Sequence, residues 1–351
     1  MALIPATILT GFLGSGKTTL LKRVLTETHG QKIAVIENEF GEENIDNEIL
    51  VNDTEEQIFQ MNNGCVCCTI REDLRNTLSL LAAKKRKGLM DFERVIIETT
   101  GLADPGPVAQ TFFIDEEVAE SYLLDAIVTL VDAKHAMQQL DDRQEARRQV
   151  GFADQIFISK ADLVSPAELD ALQHRLKHMN SRAPQQVVHF GQVPLKDVLD
   201  LRGFNLNAKL DIDPEFLTDD EHDHDHEHEH HDHDHGDDHD HETCHHPHHH
   251  HHDDDVKSFL YKAERPFDPA KLEDFLGAIV NLYGPRMLRY KGVLDMQGTD
   301  RKVIFQGVHQ LMGSDLGPDW KVGEPRISKM VFIGIDLPRD ILTQGLDQCL
   351  I

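Results

Sequence analysis

The stretch Gly11-Phe-Leu-Gly14-Ser15-Gly16-Lys17-Thr18 follows an apolar run, Ala6–Thr10, and leads into a helical pattern over Thr18–Thr28. It fits G-x-x-x-x-G-K-[ST] in full, in the context the motif requires. Its glycines let the backbone curl until successive N–H groups converge on phosphate oxygens at a helix N-terminus, so strand, tight loop and helix must follow one another directly. Gly11, Gly14, Ser15, Gly16, Lys17, Thr18 and Thr19 are therefore expected to contact a nucleotide. Lys17 would reach the β and γ phosphates, and Thr18 would offer its hydroxyl to Mg²⁺.

The chain around this motif alternates short apolar runs with helical periodicity. Strands are expected at Lys32–Ile36, Gln57–Met61, Arg94–Glu98, Ala126–Asp132, Gln155–Ser159 and Gln186–Phe190, with helices at Arg71–Lys84 and Glu168–Met179 among those between. Runs that are apolar throughout suit strands buried on both faces, so the fold class is α/β with a doubly wound, mostly parallel sheet.

A polar tract divides the chain. Residues 219–255 hold 16 Asp and Glu, 17 of the 23 His and no Lys or Arg, and removing them brings the net charge from −27 to −11. Such a segment buries too little apolar surface to offset its ordering entropy and is expected to be disordered. The division is a nucleotide domain over 1–205, a linker over 206–255 and a C-terminal α+β domain over 256–351. The last part predicts strands at Lys257–Lys262, Leu288–Leu294, Lys302–Leu311 and Lys329–Ile335, and helices from Pro269 to Tyr283 and from Arg339, in a ferredoxin-like arrangement. The acidic balance argues against a nucleic-acid or anionic-membrane surface. No apolar run approaches a membrane span, and the N-terminus lacks a basic leader, so a cytoplasmic protein is expected.

Two further segments bear on the phosphate site. Glu98 ends an apolar strand in Arg94-Val-Ile-Ile-Glu98-Thr-Thr-Gly101, where it would stand near Mg²⁺ and the γ-phosphate with Gly101 close by; a cap for the following loop is its other reading. Ser159-Lys160-Ala161-Asp162 approximates N-K-x-D, in which the Asp accepts two hydrogen bonds from guanine and the Lys lies along the base, so GTP and GDP are the expected ligands. Leu102 follows Gly101 where Ras-like GTPases carry a water-orienting Gln, so slow turnover is expected, with Glu37 or Glu39 ordering water. The catalytic set is Lys17, Thr18 and Glu98.

Cys65, Cys67 and Cys68 precede a Thr69-x-x-Glu72 capping box, which places the thiols at a helix N-terminus where the dipole favours thiolate. Three thiolates suit Zn²⁺; Cu(I) would also accept them, and structural cysteines or a redox pair remain the alternative readings. Glu37, Glu39 and Glu42 follow the second strand, where a switch segment is expected; if they approach the cysteines, Glu37 and Glu42 join the metal site and link it to the nucleotide. In the tract, imidazoles interleaved with carboxylates, among them His222, His224, His226, His228, His230, His248 and His250, form overlapping weak sites for Zn²⁺, Ni²⁺ or Co²⁺. Cys244 lies inside the tract, where it could join these sites; His29, His135, His174 and His178 read as surface or packing residues, and Cys349 has no evident role.

The phosphate loop, Glu37-Asn-Glu39-Phe-Gly41-Glu42, Gly64-Cys65-x-Cys67-Cys68, Glu98-Thr-Thr-Gly101-Leu-Ala-Asp104-Pro105 and Ser159-Lys160-x-Asp162 together resemble CobW-type GTPases, metal chaperones related to UreG and HypB, and within them the YjiA-type branch. Arg289-Tyr-Lys291-Gly292 and Phe305-Gln-Gly307-Val-His309 resemble that family's second domain. The resemblance implies GTP-dependent delivery of a transition metal, most often zinc, to client metalloproteins, with a homodimer or a metal-induced oligomer as forms it could take. A histidine-rich zinc buffer and a nickel or cobalt insertion factor are the competing readings.

Overall fold

The computed structural model describes residues 3–26, 30–39, 57–62, 67–204 and 254–351; of 38–39, 57–62 and 67–71 only the backbone is described. The expected strand–loop–helix opens the chain: β1 (Ile4–Gly11), the phosphate loop, and α1 (Lys17–Thr26). Leu20, Leu21, Val24 and Leu25 recur at helical spacing and give α1 one buried stripe. Then follow β2 (Ile33–Glu39), β3 (Gln57–Asn62), α2 (Cys67–Arg86), β4 (Arg94–Glu98), α3 (Pro105–Ile114), α4 (Glu116–Ser121) and β5 (Tyr122–Asp132). Helices α5 (Ala136–Asp142) and α6 (Gln144–Phe152) lead to β6 (Gln155–Ser159), α7 (Pro166–Met179) and β7 (Gln185–Val187).

These seven strands form one sheet in the order β3-β2-β4-β1-β5-β6-β7, and every pairing is parallel. Alternate residues feed opposite faces, as the strand period demands. Leu9, Val35, Ile96, Val128 and Phe157 pack with α1 and with the return segment through Val188, Val193, Val198 and Leu199. Ile8, Ile36, Ile97, Ile127 and Ile158 pack on the other side with Leu74 and Leu78 of α2, Phe112 of α3 and Val150 and Phe152 of α6.

The second half runs β8 (Val256–Ala263), α8 (Pro269–Tyr283), β9 (Met287–Leu294), β10 (Arg301–Val308), β11 (Leu311–Asp319), β12 (Ser328–Ile335) and α9 (Arg339–Gln348). Its sheet has the order β11-β10-β9-β12-β8 with antiparallel pairing throughout. Strands β8 and β9 flank β12 and are joined by α8, the split β-α-β unit of ferredoxin-like folds; the second helix follows the last strand instead of joining two. The strand expected over Lys302–Leu311 is two. It ends at Val308, turns at His309, which takes φ 51°, and returns as β11, whose Gly and Pro content masked it.

Neither sheet has a core of its own on both faces. Tyr261, Tyr290, Phe305, Met330 and Phe332 face α8 and α9. Val256, Leu288, Val293, Ile304, Val331 and Ile333 join the cluster that already contains α6 and the first sheet. Helix α6 is thus shared. A side chain at Gly151 would stand 2.6 Å from Leu288, so the missing Cβ lets the second sheet close on the helix. The end of the acidic tract is anchored at the same junction: Asp254 accepts from Arg175 Nε and Nη2 at 2.9 and 2.7 Å, and Asp255 accepts from Arg147 Nε at 2.6 Å.

Candidate functional site

The carboxyl ends of β2, β4, β1 and β6 converge on the phosphate loop. Gly14 and Gly16 take φ of 73° and 96°, and a Cβ on either would meet nothing, so the loop is open on that side. Lys17 Nζ donates to the carbonyls of Gly11 and Phe12 at 3.0 and 3.2 Å. Burial pulls its ammonium below the usual value, and the Glu98 carboxylate pulls it part of the way back. Thr18 Oγ1 donates to Glu98 Oε1 at 3.0 Å, which joins the first turn of α1 to the end of β4. The buried hydroxyls Ser15 Oγ and Thr100 Oγ1 find no partner among the described residues. Loop N–H groups, an ammonium and spare hydroxyls at a helix N-terminus suit a polyphosphate, and the Thr18 hydroxyl beside the Glu98 carboxylate suits a hard cation such as Mg²⁺. Thr19 is exposed on α1.

Glu98 Oε1 meets Thr18, and the cap of α3, the helix that follows the loop, comes from Asp104, its carboxylate accepting from Gly106 N at 2.9 Å. Gly101 lies against the phosphate loop itself, where a Cβ would come within 2.5 Å of Leu13 Cα. Glu37 is buried and stands beside Glu98 in the register of β2 and β4, so both carboxylates lie on the α1 face of the sheet.

The segment expected to read the base follows β6. Ser159 Oγ is 2.7 Å from the Ser15 carbonyl and 3.3 Å from that of Val131, and its single proton goes to the nearer oxygen. Serine thereby ties β6 to the phosphate loop. Lys160 sits at φ 56° and donates to Asp132 Oδ2 at 2.7 Å. Burial works against charge on Asp132, yet the Lys160 and His135 hydrogen bonds outweigh it and hold the carboxyl below its usual range. Asp162 is exposed in the short 3₁₀ turn Ala161–Leu163, its carboxylate available to a base.

The metal residues divide. Helix α2 begins at Cys67, two residues before Thr69, so Thr69 is not its N-cap and Cys67 and Cys68 are its first residues. They still occupy the positive end of the helix. Cys65, Glu42, His222, His224, His226, His228, His230, His248, His250 and Cys244 lie outside the described residues, and among the described residues no group of three or more His, Cys, Asp or Glu could hold a metal ion. His135 pairs with Asp132 at 3.0 Å, while His174 and His178 are exposed. Cys349 is a core residue whose thiol lies 3.1 Å from the Gly345 carbonyl. Among the described residues no helix is long and apolar enough to cross a membrane.

Residues that motif reading missed bind the loop after β4 from behind. Gln149, fully buried on α6, donates to the carbonyls of Gly101 and Ala103 at 3.3 and 2.9 Å. Arg148 donates to Asp104 Oδ2 at 2.6 Å. No spacing rule marks them, and on a helix that also carries Gln144, Glu145 and Arg147 their polarity does not single them out.

Comparison with known proteins agrees with the geometry. The Escherichia coli (strain K12) protein named zinc chaperone YjiA is 38% identical over 340 residues, covering 96% of each chain. The Dictyostelium discoideum protein named zinc-regulated GTPase metalloprotein activator 1 is 30% identical across 99% of this chain and 80% of its own. The crystal structure of Zn(II)-bound YjiA GTPase from E. coli matches all of both chains with a TM-score of 0.73 at 33% identity. Residues 5–187 match the CobW/HypB/UreG nucleotide-binding domain and residues 256–350 the cobalamin synthesis protein cobW C-terminal domain, and on these matches the chain belongs to the CobW/HypB/UreG family.

Proposed function

We propose that this protein is a GTP-hydrolysing zinc metallochaperone, in which GTP binding completes a thiolate metal site and hydrolysis releases the metal to a client metalloprotein. The observation that carries the reading is the Thr18–Glu98 contact at the mouth of the phosphate loop, with Glu37 beside Glu98 in register. Strands β3, β2, β4 and β1 are parallel neighbours, so β3 ends at Asn62 on the same sheet edge as the phosphate loop, a few residues before α2 begins at Cys67. A change at the γ-phosphate can therefore reach Glu37 and the helix that begins at Cys67 across two adjacent strands.

The division of labour follows from chemistry. Lys17 and the loop N–H groups hold the phosphates. Thr18 and Glu98 would hold Mg²⁺, which supplies charge neutralisation on the phosphate oxygens. Asp162 reads guanine, and Ser159 keeps its segment in register with the phosphate loop. Cys65, Cys67 and Cys68 would supply soft ligands for zinc as cargo, with Glu37 and Glu42 as further candidate ligands; the histidine tract adds capacity. Domain limits of 1–205, 206–255 and 256–351 accompany this reading, as does a cytoplasmic place of action. Turnover should be slow, since Leu102 holds the usual glutamine position.

Competitive zinc titration with a GTP analogue, with GDP and without nucleotide tests the reading. The tight site should differ at least about 10-fold in affinity between the GTP-analogue and GDP forms. Equal affinity in all three would make the protein a metal buffer with incidental nucleotide binding.

A further inference from the structure

The loop Gly101–Asp104 touches the phosphate loop on one side through Gly101 and Leu13. On the other it is held by Gln149 and Arg148 of α6. The same helix ends at Phe152, whose carbonyl accepts from Arg289 Nη1 of β9 at 3.0 Å and whose ring meets the His309 ring edge-on at 5.2 Å. His309 also reaches the first turn of α3, just beyond the loop. Its Nε2 stands 2.6 Å from where a Cβ on Gly106 would be, one residue beyond Pro105 and two beyond the Asp104 cap.

The imidazole is itself fixed. Its Nδ1 lies 3.3 Å from the Gly284 carbonyl, and the Tyr290 hydroxyl lies 3.1 Å from the His309 carbonyl and 2.9 Å from that of Leu311. Burial holds the ring's pKa below its usual value against the pull of Asp104, which favours the neutral imidazole. Gly106 therefore packs directly against the turn between β10 and β11, two residues beyond Asp104.

We propose that His309 is a positioning residue through which the second sheet holds the Gly101–Asp104 loop against the phosphate site, coupling nucleotide state to the packing of the β10–β11 hairpin. This rests on the GTPase reading above. It makes the hairpin the part of the second domain that reports which nucleotide is bound.

His309→Asn is the informative variant. Asn tolerates a left-handed backbone and keeps an amide donor for the Gly284 carbonyl, but it loses the ring that reaches Gly106 and Phe152. Hydrogen exchange of residues 301–319 in the full chain, with GDP and with a non-hydrolysable GTP analogue, gives the readout. Wild type should differ at least about 5-fold in hairpin exchange between the two nucleotides, and His309→Asn should abolish that difference while GDP affinity stays within about 2-fold. Its kcat for GTP should fall about 5-fold with KM unchanged, a split that a merely structural contact would not give. Should that variant fail to fold, Gly106→Ala, which pushes on the ring from the loop side, is read by the same exchange difference. Identical hairpin exchange in both wild-type states, or an undiminished difference in a folded variant, overturns the proposal. Wild-type protein that binds no guanine nucleotide overturns the GTPase reading as well, whereas binding without the exchange difference overturns this inference alone.

Discussion

Ser159 ties two distant segments with one hydroxyl: its bond to the Ser15 carbonyl joins β6 and the phosphate loop across most of the first domain's sequence. Ser159→Ala should lower stability by about 1 kcal/mol and weaken GDP binding about 5-fold, as calorimetry would register, because one buried hydrogen bond is lost and the Ser15 carbonyl is left without it. Lys17 behaves differently. Its ammonium is already destabilised by burial and is held by two loop carbonyls, so Lys17→Ala should leave the fold intact while GTP affinity drops at least about 100-fold, the loss expected for charge-assisted phosphate contacts. Near-normal affinity in a folded Lys17→Ala protein would remove the phosphate-site assignment. Asp162→Asn should narrow the preference for GTP over ATP in a competition assay, since a carboxylate that accepts twice becomes a mixed donor and acceptor.

At the scale of elements, the junction between α6, β6 and β9 is held by one buried carboxylate. Asp154 Oδ2 accepts from Arg289 Nη1 at 2.6 Å and from Ile127 N at 3.0 Å, and Oδ1 accepts from Lys291 Nζ at 2.9 Å. The Arg289 guanidinium also stacks 3.9 Å from the Phe204 ring centroid. Burial alone would raise the Asp154 carboxyl, but Arg289 and Lys291 overcome it and hold it far below the usual carboxylate range. A carboxyl depressed on folding contributes stability that is fully present above its unfolded value, near pH 4, and is lost as pH falls toward the folded value. Melting temperature should therefore fall on acidification below about pH 4, and Asp154→Asn should flatten that dependence. At pH 7, Asp154→Ala should cost about 3 to 5 kcal/mol in chemical denaturation, because two buried cations lose their carboxylate. An effect under 1 kcal/mol would mean that water or rearrangement replaces the pair.

For the molecule as a whole, the acidic histidine tract and the second sheet play opposite parts. Deleting residues 219–253 spares Asp254 and Asp255, which the Arg175 and Arg147 pairs anchor. That deletion should cut zinc stoichiometry sharply yet leave one tight, GTP-sensitive site, as metal titration would show, because thiolates dominate affinity for zinc. Loss of the tight site would put the tract inside the delivery mechanism. Removing the second sheet is a different operation. A chain ending at residue 204 would expose the face of α6 that packs on Leu288, Val256 and Ile333, so it should self-associate in size-exclusion chromatography and melt at lower temperature than the full chain.

What the sequence determined by itself is the set of local features: which runs are strands, where the phosphate loop sits, and which segments, Thr18, Glu98 and Ser159-Lys160-x-Asp162, are expected to share a site. Those are legible because glycine spacing, apolar runs and side-chain chemistry act over a few residues. Helix Pro269–Tyr283 and strand Arg94–Glu98 have the limits that periodicity predicts, whereas β11 was hidden by turn-forming residues that an edge strand tolerates. Tertiary structure alone decided that Ser159 bonds Ser15, that Gln149 and Arg148 hold the loop after β4, that one Asp154 serves two cations from the other sheet, and that His309 rests on Gly106. Each is a contact between residues far apart in the chain. Its energy depends on burial and on distances of a few ångströms, which no spacing along the sequence encodes.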